Sequence, residues 1–157
     1  MIILRGVEKF IAAVDMKTDQ MRAATMKATA KALHLIEKRA KENLGLLTHR
    51  LGTPTPSGPG EPPALITGNL RRSITVAGPV TLTPNTWSGQ VGPTAVYGRI
   101  QELGGEVSSQ HTSMVMAGVA GSGITLPARP YLRPAFEASE VEIRAIFQAA
   151  WTEAILK

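Results

Sequence analysis

From Gly6 to Asn43 the chain holds neither proline nor an internal glycine, and its apolar residues recur at three- and four-residue spacing. Val7, Phe10, Ile11 and Val14 begin the stripe, and Met21, Ala28, Ala32, Leu35 and Ile36 continue it. That period is one face of an amphipathic helix, with the charged residues largely off it. Asp15 is a capping type of residue, so the pattern predicts a short first helix, a break, and a long helix from about residue 16 to 44 that ends at Gly45. Ala23, Ala24, Thr25, Ala28, Thr29, Ala30 and Ala32 keep the long helix narrow, which lets another element come close.

Residues 45–69 have a different character. Pro54, Pro56, Pro59, Pro62 and Pro63 exclude both a helix and a central strand and favour extended polyproline geometry. Connectors of this length are uncommon inside a compact domain, and this one runs into Ala64-Leu65-Ile66, which calls for burial. Residues 45–66 are therefore expected to form an extended arm that wraps a neighbouring subunit. Polar and apolar positions then alternate from Ser73 to Val80 and from Thr86 to Val91. Thr83-Pro84-Asn85 between them turns the chain, which predicts a hairpin.

Tyr97 to Leu103 fits one or two helical turns stopped by Gly104-Gly105. Residues 104–123 read as a Gly/Ser-rich flexible loop, and Ile124 to Leu126 as a short strand. Pro134 opens a final helix to about Ile155. Phe136, Ile143, Ile146, Phe147, Ala150 and Ala154 share its inner face, and Glu137, Glu140 and Glu142 lie towards the positive end of its dipole. The expected architecture is a single α+β domain over residues 1–157, with a long N-terminal helix, a proline-rich arm, a small antiparallel sheet and a C-terminal helix.

A length of 157 residues suits one domain. With 43% hydrophobic and 18% charged residues, bulk disorder is not expected. The absence of cysteine removes disulfides and thiolate chemistry. No apolar run reaches the roughly 18–20 residues that span a bilayer, and Met1-Ile2-Ile3-Leu4 is cut short by Arg5, so neither membrane contact nor a signal peptide is expected. The net charge of +5 sits in residues 1–50, where ten basic side chains face five acids; the rest of the chain balances at seven and seven. Such asymmetry points to an anionic neighbour, nucleic acid among the candidates, or to a solvated helix face.

The sequence carries no catalytic motif. His34, His49 and His111 lack partners at metal-ligand spacing. Gly118, Gly121 and Gly123 lead towards a strand and not into a helix start, and no G-x-S-x-G elbow occurs. Glu102 and Glu106 are separated by Gly104-Gly105, which leaves their distance open. Aromatic residues, 4% of the chain, do not interleave with the bases as a nucleic-acid stacking platform requires. The pair Arg71-Arg72 suits phosphate or an interfacial salt bridge. Arg129 and Arg133, on either side of Tyr131, suit charge-assisted bonds to carboxylates or carbonyls, with Glu102 the acid they are expected to meet.

Three segments then stand in order: Ser57-Gly58-Pro59-Gly60-Glu61-Pro62-Pro63-Ala64 followed by Thr67-Gly68-Asn69-Leu70-Arg71-Arg72-Ser73-Ile74; Val91-Gly92-Pro93 with Tyr97 and Glu102-Leu103-Gly104; and Pro127-Ala128-Arg129-Pro130-Tyr131-Leu132-Arg133-Pro134-Ala135-Phe136. Behind a basic helix and ahead of a C-terminal one, this ordered set resembles the neck or tail-completion proteins of long-tailed bacteriophages, also called head–tail joining proteins or minor tail components. Gly98, where an alanine-like residue is expected, and the Gly/Ser insert at 104–123 depart from the pattern.

The resemblance implies a structural virion protein, made in the host cytoplasm and located at the head–tail junction. It implies a homo-oligomeric ring around the DNA channel, with no enzyme activity and no cofactor. Its partners would be further copies of itself, the connector, the tail terminator, the tail tube and, non-specifically, packaged DNA. It does not separate tail completion from tail termination; the other readings are a free-standing basic nucleic-acid-binding protein and an enzyme whose site forms between subunits around Glu102, Glu106 and His111. A ring needs head-to-tail contacts between copies. They are expected at Pro59, Glu61, Pro62, Pro63, Arg71, Arg72, Glu102, Arg129, Tyr131 and Arg133, with DNA contacts at Lys27, Lys31, Lys38 and Lys41.

Overall fold

The structure, a computed structural model, describes residues 7–52, 57–107 and 124–156. Residues 53–56 of the expected arm and residues 108–123 of the Gly/Ser segment, His111 included, lie outside the described residues. The elements in chain order are α1 (Val7–Asn43), α2 (Asn69–Ser73), β1 (Ile74–Thr83), β2 (Thr86–Pro93), α3 (Gly98–Leu103), β3 (Gly105–Val107), β4 (Ile124–Leu126) and α4 (Leu132–Leu156). The architecture is α+β: long first and last helices with two two-stranded sheets, β1–β2 and β3–β4. β3 and β4 run antiparallel, with Gly105 opposite Leu126 and Val107 opposite Ile124.

α1 is one continuous helix of 37 residues, so the break expected at Asp15 does not occur. A capping side chain ends a helix only where the backbone also leaves helical geometry, and the Ala, Met and Lys residues that follow favour the helix. Thr18, Thr25 and Thr29 satisfy their hydroxyls on the carbonyls four residues earlier, at 2.9, 2.8 and 2.9 Å. Ala28, Ala32, Leu33 and Ala40 form its buried stripe. Further towards the N-terminus, Ile11 and Val14 stay about half exposed, at 51% and 47%.

α4 begins at Leu132, two residues before the expected start, with Pro134 inside its first turn. Of the expected inner face Ala154 is buried, Ile143, Ile146, Phe147 and Ala150 are half-buried, and Phe136 lies half in solvent; Ala135 and Ser139, not expected there, are buried as well. The first turn contains no acidic residue. The dipole role expected of Glu137, Glu140 and Glu142 falls to a residue from another element, described below.

The chain divides into two compact units. The first takes the chain up to Leu35, the hairpin end Val76–Gln90, and α4 from Ser139. In it Trp151 Nε1 donates to Thr25 Oγ1 at 2.9 Å, and the Trp151 ring lies 5.5 Å from that of Phe147. Lys17 Nζ reaches the carbonyl of Ile155 at 3.3 Å, answering one of the last carbonyls of α4, and Arg22 Nε donates to Asn85 Oδ1 at 3.2 Å. The second unit takes Ile36–Thr75 and Val91–Ala138. Its core is Ala40, Leu44, Ile74, Tyr131 and Ala135, with Leu70, Val91 and Leu132 packed against them.

Candidate functional site

The three ordered segments of the sequence meet in the second unit. α3 is two turns long and closes at Gly104, whose φ of 68° and ψ of −175° fall where only glycine is at ease. Its last turn carries Glu102. The Glu102 carboxylate accepts the backbone N–H groups of Tyr131 and Leu132 on Oε2, at 2.8 and 2.9 Å, and that of Arg133 on Oε1, at 2.9 Å. The first N–H groups of a helix have no partner within it, and a negative charge there is favoured by the dipole. Glu102 therefore caps α4 from 29 residues upstream.

Around this cap the other segments are tied in. Arg129 is 8% exposed; its Nε donates to the Ser57 carbonyl at 2.9 Å, and its backbone N–H to the Gln101 carbonyl at 2.7 Å. Gly60 N–H donates to the Ala128 carbonyl at 2.9 Å. Asn43, at the end of α1, donates to the Tyr131 carbonyl at 2.9 Å. Arg39 donates to the Ala138 carbonyl.

Tyr131 is fully buried, and its hydroxyl donates to the Gly98 carbonyl at 3.1 Å. Gly98 leaves no room for the alanine-like residue expected there: a Cβ would lie 2.3 Å from Pro93 Cγ and 3.2 Å from the Tyr131 hydroxyl. Burial, then the Glu102 charge, then Tyr97, push the Tyr131 phenol well above the usual tyrosine range. A phenol whose ionisation is harder in the folded state contributes stability below about pH 10 and loses it as pH rises further. We predict that Tyr131→Phe destabilises the protein by about 1–2 kcal/mol at neutral pH, because the Gly98 carbonyl loses its donor. The same variant should lose less stability than the parent above about pH 10. Urea unfolding from pH 7 to 11 checks both.

The described part of the arm is folded onto its own subunit. His49 N–H donates to the Leu65 carbonyl at 3.1 Å, Leu65 N–H to the Leu47 carbonyl at 2.7 Å, and Ala64 N–H to Ser57 Oγ at 3.0 Å. Ala64 and Leu65 are the first donors after Pro62-Pro63, which have no N–H to give, and the segment is held by these few bonds and not by a sheet. Tyr131 and Arg129, expected at a subunit contact, are buried inside this one. Glu102 meets the main chain and not the two guanidinium groups.

Pro59, Glu61, Arg71, Arg72 and Arg133 are exposed, whereas Pro62, Pro63 and Glu102 are half-buried. Glu61 accepts the Gly58 N–H at 2.9 Å. The helical period places Lys27, Lys31, Lys38 and Lys41 along one face of α1, opposite Ala32, Ile36 and Ala40. Lys27 and Lys31 are exposed, Lys38 lies 3.9 Å from Glu42, and Lys41 pairs with Glu37 at 2.7 Å.

Among the described residues no group of three or more histidines, cysteines or acids is placed to hold a metal, and no helix is long and apolar enough to cross a membrane. In comparison with known proteins the chain matches no family model, no curated protein and no solved structure.

Proposed function

We propose that this chain is a structural protein of a tailed-phage virion at the head–tail junction, where copies form a ring that completes or joins the tail to the DNA-filled head. The observation that carries the reading is the imbalance between core and surface. The large buried apolar side chains among the described residues are Leu33, Leu44, Ile74 and Tyr131; the other buried apolar residues are alanines. Against them stand Val96 at 96% exposure, Leu51 at 84%, Val141 at 82%, Leu156 at 80% and Leu46 at 69%, among others. Single exposed apolar residues are ordinary, but a chain with so small a core and so many of them is built to bury surface against other molecules.

The convergence of the three resemblance-bearing segments on Glu102, Arg129 and Tyr131 is a second support. It gives those residues a reason to stand in that order: they build a rigid corner that presents Pro59, Glu61, Arg133 and Val96 outward. Heterologous contacts through such corners close a ring. The reading assigns the protein no catalytic activity and no cofactor.

Deleting the gene from the phage that encodes it tests the proposal. The expected result is DNA-filled heads and separate tails in the lysate, with joined particles restored when the protein is supplied. Electron microscopy of virions with the protein labelled should place it at the junction in several copies. Normal yields of joined, infectious particles without the protein would overturn the reading.

A further inference from the structure

We infer that a cleft in the second unit, walled by Lys41 of α1 and by Arg71 and Arg72 of α2, is a binding site for the phosphodiester backbone of duplex DNA. The floor of the cleft is the segment Leu65–Gly68. No carboxylate lines it. The Arg71 guanidinium lies beside Gly45, its Cζ 4.0 Å from where a Cβ would stand, and Arg72 lies beside Gly68. Arg72 Nη2 donates to the neutral Asn69 Oδ1 at 2.5 Å. Among the described residues the one ion pair made by these three cations is that of Lys41 with Glu37. Two guanidinium groups therefore face the cleft without a counter-charge, whereas half-buried Lys41 beside them is paired with Glu37.

Two guanidinium groups held on one short helix repel one another unless an anion joins them. Guanidinium forks match phosphate oxygens in pairs, and a polyphosphate chain meets several cations at once while releasing its condensed counterions. Contacts of this kind position a protein on DNA without reading sequence. The excess of basic residues in the first 50 positions, to which Lys41 belongs, favours a polyanion over an isolated carboxylate. The inference deepens the neck reading, in which DNA passes the ring, by naming the surface it touches. Its test does not depend on virion assembly.

Fluorescence anisotropy with labelled duplex DNA, measured across a salt series on the full chain, decides it. Each neutralised phosphate contributes about −0.9 to the log–log salt slope, so the two arginine contacts give the parent a slope of at least about −1.8. Arg71→Ala/Arg72→Ala should weaken binding by about tenfold or more and make the slope shallower by about two. Arg144→Ala, an exposed cation of α4 that does not line the cleft, should leave the slope within about half a unit of the parent. Circular dichroism confirms that both variants keep their helices, and millimolar inorganic phosphate at constant ionic strength should not displace the DNA. Three results overturn the site: an unchanged slope in the arginine variant, displacement of DNA by free phosphate, or a change in sedimentation mass with DNA affinity intact. The last would assign the cleft to contact between copies and leave the neck reading standing. Loss of DNA binding in the arginine variant of a protein absent from the head–tail junction would do the reverse.

Discussion

Glu102→Ala should lower the free energy of unfolding by about 3–5 kcal/mol and the melting temperature by roughly 10 °C. One carboxylate receives three backbone N–H groups at 2.8–2.9 Å, and hydrogen bonds to a charged acceptor are each worth about 1.5–3 kcal/mol. They do not add in full, because the N–H of exposed Arg133 finds water when the carboxylate goes, whereas that of buried Tyr131 does not. The loss also removes an acid from the N-terminus of a 25-residue helix whose own first turn has none, where the dipole is worth a further 0.3–1 kcal/mol or so. Glu102→Gln keeps one acceptor oxygen in reach and should lose about half as much. Glu102→Asp, one methylene shorter, should behave like the alanine variant. Amide hydrogen exchange at residues 131–133 locates the effect, since these protons should be the first to lose protection. A Glu102→Ala protein within about 1 kcal/mol of the parent, with those amides still protected, would remove the capping role.

Gly104→Ala should cost a similar amount, about 3–4 kcal/mol, by a different route. A side chain is strained at φ 68° and ψ −175° whatever the space around it. Here the space is also taken: a Cβ would stand 2.7 Å from the Ala128 nitrogen and 2.8 Å from the Leu126 oxygen. Both are main-chain atoms, so no rotamer change relieves the contact, and the β3–β4 ladder beside it has to open. Urea unfolding gives the magnitude, and exchange at Gly105 and Leu126 tests the place. Gly98→Ala meets the Pro93 ring, which shifts more readily than backbone, and should cost about 1–3 kcal/mol. Equal stability of the Gly104→Ala protein and the parent would show that the turn adjusts freely.

The two glycines show where reading the chain succeeds and where it stops. Gly104-Gly105 mark the end of a short helix in any sequence, and α3 does end there. Gly98 carries no such signal, because what forbids a side chain is Pro93 and Tyr131 closing from outside its own helix. The proline run divides the same way. Its lack of helix or strand follows from its composition, but the partner it lies on depends on donors at Gly60, Ala64 and Leu65 meeting Ala128, Ser57 and Leu47. Five-residue α2 leaves no mark in the sequence, because one turn carries no period.

The apolar period of the first and last helices, the turn at Thr83-Pro84-Asn85 and the stop at Gly104 were determined by the sequence alone, because each depends on backbone geometry within a few residues. The continuity of α1 through Asp15, the burial of Arg129 and Tyr131, the reach of Glu102 to a helix 29 residues downstream and the meeting of Lys41 with Arg71 and Arg72 were decided by the tertiary structure. These depend on which side chains arrive together once distant segments pack, and a local pattern does not encode that distance.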